Sequence, residues 1–310
     1  MTRAVIEGVI PILVTPFLED GRIDEDSLAS LIDFNIAAGV HAIGVALGSE
    51  VFKFTEAERA QVIACVVGAT AGRVPVIINT GATGTDLAVH YARMAAEAGA
   101  DALMIMPPTF FVVGSDEIVD YYKAISAAVD IPLILQDIPQ APISPGLALR
   151  IADSCANVEY IKVETLPITQ KVAEMAKAVA GRLTIFGGAG GGYFIEEMRR
   201  GARGTMPFCS QPSEFVEVWN RFTAGDEVGA RQVFDAAFTG INRLSAQGGD
   251  LFYHVHKQLL VRRGVIRTAL VRSPTVSIDP ITQREIDELL AILVPSPAAF
   301  PARQGVSPTE

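Results

Sequence analysis

Residues 75–106 read PVIINTGATGTDLAVHYARMAAEAGADALMIM. The stretch holds two short apolar runs, Pro75–Asn79 and Ala102–Met106, with an amphipathic segment between them. Neither run alternates between apolar and polar residues, which is how strands covered on both faces of a parallel sheet read. The segment between them opens on Thr85-Asp86 and closes at Gly99, a hydroxyl and an acid at the start and a glycine at the end, as helices prefer. It is one strand–helix unit, and its neighbours on both sides repeat it.

The further apolar runs are Val9–Val14, Ala42–Leu47, Pro132–Leu135, Tyr160–Val163, Leu183–Phe186 and Gly204–Phe208. Between them, Asp24-Glu25-Asp26-Ser27 precedes Leu28, Leu31, Ile32 and Ile36 and ends at Gly39. Thr55 with Glu58 forms a capping box. Ser115, Ser144 and Thr165-Leu166-Pro167 open further helices. Eight units fill about 210 residues, with strand starts every 21–33 residues. Ankyrin or tetratricopeptide arrays share that period, but these strands are too apolar and each helix is single. An open doubly wound sheet and a closed barrel remain. Eight similar units with no shift in composition predict the α/β class and a (β/α)8 TIM barrel over residues 1–211.

From Ser213 the pattern is purely helical. Phe215/Val218/Trp219/Phe222, Val233/Phe234/Ala237/Ile241, Leu251–Leu260 and Ile286–Leu293 predict four helices in a C-terminal extension over 212–294. Residues 295–310 carry four prolines and read as a disordered tail.

Composition excludes several classes. Half of the 310 residues are hydrophobic and 19% are charged, so the bulk of the chain can bury a core. No run of roughly 18 uncharged apolar residues occurs, so no membrane span is expected. Glu7 interrupts the N-terminus before an apolar core of signal-peptide length, and a cytoplasmic location is expected. Cys65, Cys155 and Cys209 lie far apart without CxxC spacing, which argues against a disulfide framework or a zinc cage. The four histidines do not converge in sequence, and no metal is expected. A net charge of −10 repels nucleic acid and anionic membranes.

In a TIM barrel, chemistry sits at the C-terminal ends of the strands. The polar residues there are Thr15, Gly48-Ser49-Glu50, Asn79-Thr80, Gln136-Asp137, Lys162 with Glu164, and Gly187–Gly192. Lys162 interrupts Val158-Glu159-Tyr160-Ile161-Lys162-Val163-Glu164-Thr165. Side chains alternate along a strand, so Lys162 and Glu164 share one face while Ile161 and Val163 share the other. With the apolar pair toward the helices, Lys162 and Glu164 point into the barrel. Burial disfavours a charged lysine, and a neutral amine forms Schiff bases with ketones. On spacing alone, a structural role, as a buried ion pair or as an exposed strand end, is the favoured reading. Gln136 offers an amide that can orient a substrate oxygen but cannot relay protons. Gly187–Gly192 opens a helix, where backbone N–H groups bind small anions. It lacks GK[ST], and its GxGxxG frame fails at Tyr193, so a nucleotide is disfavoured.

Taken together, Val14-Thr15-Pro16-Phe17, Asp20-Gly21 with Ile23-Asp24, Gly48-Ser49-Glu50, Pro107-Pro108, Ile161-Lys162 and Gly201-Ala202 with Gly204 make the chain resemble a known group. It is similar, from Gly8 to about Val294, to the dihydrodipicolinate synthase / N-acetylneuraminate lyase superfamily of Schiff-base pyruvate aldolases. The resemblance implies a TIM barrel with a C-terminal helical part, a homotetramer or dimer, and Lys162 as the imine-forming lysine. It implies no cofactor beyond that covalent imine, and a small-molecule 2-keto acid as partner.

The departures narrow the expectation. The usual tyrosine ending strand five falls at Gln136, within Gln136-Asp137-Ile138-Pro139. The paired hydroxyl residues before Gly-Glu fall at Leu47-Gly48. The second tyrosine, lent by a neighbouring subunit, falls at Phe110, and the arginine that holds an amino-acid-derived carboxylate falls near Ala141. Authentic dihydrodipicolinate synthase activity is therefore not expected. Glu164, where relatives commonly carry a small or hydroxylated residue, becomes the candidate proton shuttle, with Gln136 beside it. Thr15, Gly48, Ser49, Asp137, Gly187 and Gly188 are the substrate-binding candidates, the Gly48-Ser49 amides being assigned the keto acid's carboxylate. The expected activity is a lyase: aldol cleavage or condensation, or dehydration, of a 2-keto-3-deoxy sugar acid or related pyruvate-derived substrate. The alternative is a non-catalytic keto-acid sensor on the same scaffold.

Overall fold

Each apolar run supplies one strand. The computed structural model describes residues 5–301. Its strands are β1 (Gly8–Val9), β2 (Ile43–Val45), β3 (Val76–Asn79), β4 (Ala102–Ile105), β5 (Leu133–Asp137), β6 (Val158–Val163), β7 (Thr184–Gly187) and β8 (Gly204–Thr205). They lie in the order β1-β8-β7-β6-β5-β4-β3-β2. From β2 to β7 each pairs in parallel with the next, and β8 pairs in parallel with β1. The segment after β1 joins both ends of this sheet. Ile12 bridges Gly44 on one side and Phe208 on the other, and Leu13 N–H donates to Gly44 O at 2.8 Å. The barrel is therefore closed. The runs Val9–Val14 and Gly204–Phe208 form shorter regular strands than their apolar length suggests. Pro11 and Pro207 interrupt them, and proline has no N–H to give the ladder.

The helices on the outside are α1 (Glu25–Ala37), α2 (Glu56–Thr70), α3 (Thr85–Glu97), α4 (Ser115–Ser126), α5 (Pro145–Ser154), α6 (Ile168–Ala178), α7 (Phe194–Met198) and α8 (Pro212–Thr223). Three of the start signals cap their helices through side chains, whereas the caps of α3, α4 and α6 are Gly84, Gly114 and Pro167, without a side-chain hydrogen bond. The Asp24 and Ser144 side chains accept the Ser27 and Leu147 amides, and Thr55 and Glu58 complete their box. α8 packs against β1 as well as against α9 (Glu227–Ser245). It takes the eighth helical place around the barrel, and α9, α10 (Leu251–Arg262) and α11 (Pro280–Leu293) follow it. Within the segment read as a disordered tail, the Ala298 N–H donates to Arg262 O at 3.0 Å. Arg267 lies 4.6 Å over the Phe300 ring. Residues 302–310 of that segment lie outside the described residues. No helix among the described residues is long and apolar enough to cross a membrane.

Side-chain alternation builds two cores. Ile10, Ile77, Met104, Ile134, Tyr160, Phe186 and Met206 fill the barrel interior. Leu135, Ile161, Val163 and Ile185 face the helices. Two residues beyond an interior position, the chain again points inward. Ile77 thus leads to Asn79, Ile134 to Gln136, Tyr160 to Lys162, Phe186 to Gly188 and Met206 to Phe208. These residues form the top of the barrel, at the C-terminal mouth.

Candidate active site

A cavity of about 590 Å³ opens at that mouth, well within the size range of small-molecule sites. Lys162 lies on its floor, 5% exposed. Its Nζ is 3.0 Å from Glu164 Oε1, so the pair read from the sequence is formed. Glu164 Oε1 also accepts the Ala189 N–H at 3.0 Å, and its Oε2 accepts from Gln136 Nε2 at 3.3 Å. Gln136 Oε1 in turn accepts from Asn79 Nδ2 at 3.1 Å. Asn79 and Gln136 thus fix which way each amide points, and both present donors toward the carboxylate side. Moving one proton from Lys162 to Glu164 leaves a neutral amine beside a neutral acid. The pair can therefore present a nucleophile without a bulk-water partner.

The glycine run serves this carboxylate. Ala189 and Gly190 adopt positive φ in a 3-10 turn, Ala189–Gly191, which turns the Ala189 amide toward Glu164. A Cβ on Gly188 would lie 2.3 Å from Glu164 Cγ, so only glycine leaves the carboxylate where it is. Gly188→Ala is expected to push Glu164 off Lys162. Turnover should fall about 100-fold, the scale of a ~1 Å misplacement, while Lys162 remains open to chemical modification. Unchanged turnover in Gly188→Ala would contradict this placement.

Gly48 lines the cavity with Leu47, but Ser49 does not reach it. The Ser49 amide donates to Ala46 O at 2.8 Å, and its hydroxyl accepts the Ala46 N–H at 3.1 Å and donates to Leu13 O. Leu47–Ser49 is a 3-10 turn. The N–H groups of its first residues, Leu47 and Gly48, have no acceptor inside the turn, whereas the Ser49 amide is already spent. The Thr15 hydroxyl donates to Ser49 O at 2.7 Å and braces this loop from below. Glu50 follows at φ 60° with its carboxylate fully buried, taking Lys257 Nζ at 2.5 Å, Lys53 Nζ at 3.1 Å and the Arg272 N–H at 3.1 Å. Lys257 lies on α10, so the helical extension holds the β2 loop in place. Tyr253, also on α10, donates to Leu47 O at 2.5 Å.

Asp137 faces away from the cavity, as its neighbour Gln136 faces in. Its carboxylate is buried and accepts from Ile143 N–H at 2.7 Å, Lys171 Nζ at 2.6 Å and Thr165 Oγ1 at 2.8 Å. It is a structural clamp rather than a substrate contact. Gly187 is likewise outside the cavity: a Cβ there would lie 1.7 Å from Glu197 Oε2.

Sequence reading missed the far wall. Tyr193, Asn242, Ser245, Phe252 and Tyr253 line it. Four of these, Asn242, Ser245, Phe252 and Tyr253, lie on α9 and α10, far from the strands in sequence. Among the described residues no arginine lines the cavity, and Lys162 is its one lysine. Phe110 and Phe111, in the loop after β4, are 74% and 72% exposed and pack edge to face at 4.8 Å. Among the described residues, no three His, Cys, Asp or Glu side chains group to hold a metal ion.

Comparison with known proteins agrees with this geometry. The dihydrodipicolinate synthetase family model matches residues 5–293. A 4-hydroxy-tetrahydrodipicolinate synthase of Sorangium cellulosum is 33% identical over 302 residues, covering 94% of this chain and 97% of that protein. One of Psychrobacter arcticus is 31% identical over 269 residues, covering 84% and 88%. The crystal structure of dihydrodipicolinate synthase from Rhodopseudomonas palustris superposes with a TM-score of 0.85 at 29% identity, covering 93% of this chain and 97% of that one. With a closed barrel, a lysine on the sixth strand and a match across nearly its whole length, the chain belongs to the dihydrodipicolinate synthetase family.

Proposed function

We propose that this Schiff-base lyase acts on a 2-keto acid through Lys162, with Glu164 as its proton shuttle. The observation that carries the reading is the 3.0 Å contact between Lys162 and Glu164 at the barrel mouth. The Leu47 and Gly48 amides hold the substrate carboxylate. Lys162 attacks the keto carbon, and water leaves as the imine forms. Glu164 supplies and removes the protons of that exchange. The protonated imine then accepts an electron pair. It comes from the C3–C4 bond in aldol cleavage, the C4 hydroxyl giving up its proton as the carbonyl product forms. In dehydration it comes from the C3–H bond, and the enamine then returns the pair and expels the C4 hydroxyl, which takes up a proton and leaves as water.

A sugar-acid aldolase or dehydratase suits the cavity better than the synthase reaction. Gln136 stands where the resemblance places the proton-relaying phenol, and among the described residues no arginine lines the cavity to take a second carboxylate. Gln140, Asn242 and Ser245 line the outer part of the cavity, neutral groups that suit the hydroxyls of a 2-keto-3-deoxy sugar acid. The exposed Phe110-Phe111 loop supports the homo-oligomer that the resemblance implies.

Borohydride reduction with pyruvate or a 2-keto-3-deoxy sugar acid tests the first step. A mass increase on Lys162 is expected. Thermal stabilisation by a keto acid without any adduct would instead favour a keto-acid sensor. Glu164→Gln tests the second step. It should still form the trapped adduct but lose about 10²- to 10⁴-fold in turnover, the range of a lost general acid–base group. Full turnover in that variant would remove Glu164 from the mechanism.

A further inference from the structure

Behind the β7 glycines lies a second carboxyl group that the mechanism above does not use. Glu197, on α7, is 0% exposed, and neither of its oxygens has a hydrogen-bond partner among the described residues. Gly187 leaves room for its carboxyl as Gly188 leaves room for that of Glu164. The two acids therefore press on successive residues of one strand end, ~3.8 Å apart along the backbone, from the helix side and the barrel side. Thr205, paired with Gly187 across β7–β8, adds a buried hydroxyl without a partner. Its neighbour Met206 points into the barrel, so Thr205 faces the layer that holds Glu197.

An ionised carboxylate in such a place would be unsolvated and unpaired, so the neutral acid is favoured. Burial pushes the Glu197 carboxyl up to about 8. Glu164 and Glu196 push in the same direction, whereas the Gly188 amide and Lys162 pull it down. The Gly188 amide faces the carboxyl without meeting hydrogen-bond geometry. Glu196 is already paired with Arg231.

We propose that Glu197 is a positioning residue that serves as an uncharged acid behind the glycine turn, and that its ionisation switches the Lys162–Glu164 pair at alkaline pH. The inference rests on the assignment of that pair as the reacting groups. Once ionised, Glu197 places a second negative charge across Gly188 from Glu164. That charge holds the proton on Lys162 and disfavours a charged Glu164, so the free amine becomes scarcer just where rising pH would otherwise supply it.

The test reads Lys162 without any keto acid, so it separates from the Schiff-base assignment. Wild type and E197Q are treated with cyanate, and carbamylation of Lys162 is timed by mass spectrometry. At pH 6.5 the two proteins should react equally. At pH 9 Lys162 of E197Q should react roughly five times faster, as one charge held in a shielded site predicts. Equal rates at both pH values would overturn the proposal, and so would a constant ratio at both.

Thermal melting gives a second reading. A group with a raised folded pKa contributes stability that is lost as pH rises toward that value. E197Q should gain about 5 °C in Tm on the wild type between pH 5 and pH 8. A fixed difference across that range would count against Glu197 as the titrating group. If E197Q does not fold, the wild type alone decides. Its infrared spectrum must show a protonated carboxyl band at pH 7 that fades by pH 9, and absence of the band at pH 7 would overturn the proposal.

Discussion

Lys162→Ala is expected to abolish the borohydride-trapped adduct and to lower turnover by roughly 10⁴- to 10⁶-fold, the scale seen when a covalent nucleophile is removed. Few residues elsewhere in the chain could substitute for it. No other lysine lines the cavity. Lys53 and Lys257 are both spent on the Glu50 carboxylate, and Lys171 on that of Asp137. The substitution should leave the fold intact. Lys162 has one charged partner, and Glu164 keeps the Ala189 amide and the Gln136 side chain when the ammonium is gone. A melting temperature close to wild type, no mass shift with any 2-keto acid and no turnover would together assign the covalent step to this residue. An adduct that survives in Lys162→Ala would move the imine to another lysine and end the mechanism proposed here.

The architecture was legible because a double-layered barrel imposes a strong pattern. Strands buried on both faces must be apolar throughout, and the helices between them must carry caps. The inward face of β6 followed from the same alternation, and so did Gln136. That rule also places Asp137 outward, yet a polar residue at a strand end reads as a ligand when only its position is considered. Other features depend on backbone geometry that residue types do not encode. The 3-10 turn at Leu47–Ser49 spends the Ser49 amide and leaves those of Leu47 and Gly48, and only the left-handed Glu50 that follows reveals this. The glycines after β7 read as a loop for an anionic ligand. They make room instead for the carboxyl groups of two of the chain's own residues, Glu164 and Glu197. The wall contributed by Tyr253 was invisible because it meets Leu47 across more than 200 residues of sequence, a contact that local pattern cannot carry.

Asp137→Ala is expected to lower stability by about 3–5 kcal/mol, the range for breaking a buried ion pair by removing one partner. For a chain of 310 residues that corresponds to a fall in Tm of roughly 5–8 °C. The side chain is 0% exposed and gathers donors from three parts of the chain. Ile143 comes from the turn before α5, Lys171 from α6, and Thr165 from the end of β6. Its Oδ2 also takes the Glu164 and Thr165 amides at 3.3 and 3.2 Å. Alanine would leave a nearly buried ammonium on Lys171 without its counter-ion, and backbone donors without acceptors. The Glu164 backbone would lose one of its anchors as well, so turnover should fall with stability even though Asp137 touches no substrate. Asp137→Asn keeps an acceptor oxygen but not the charge, and should lie between wild type and alanine. The sequence-based assignment of Asp137 to substrate binding makes the opposite forecast, an increase in KM with an unchanged melting temperature. The two measurements therefore separate a residue that holds the end of β6 from one that holds the ligand, and the five donors converging on this carboxylate argue for the first.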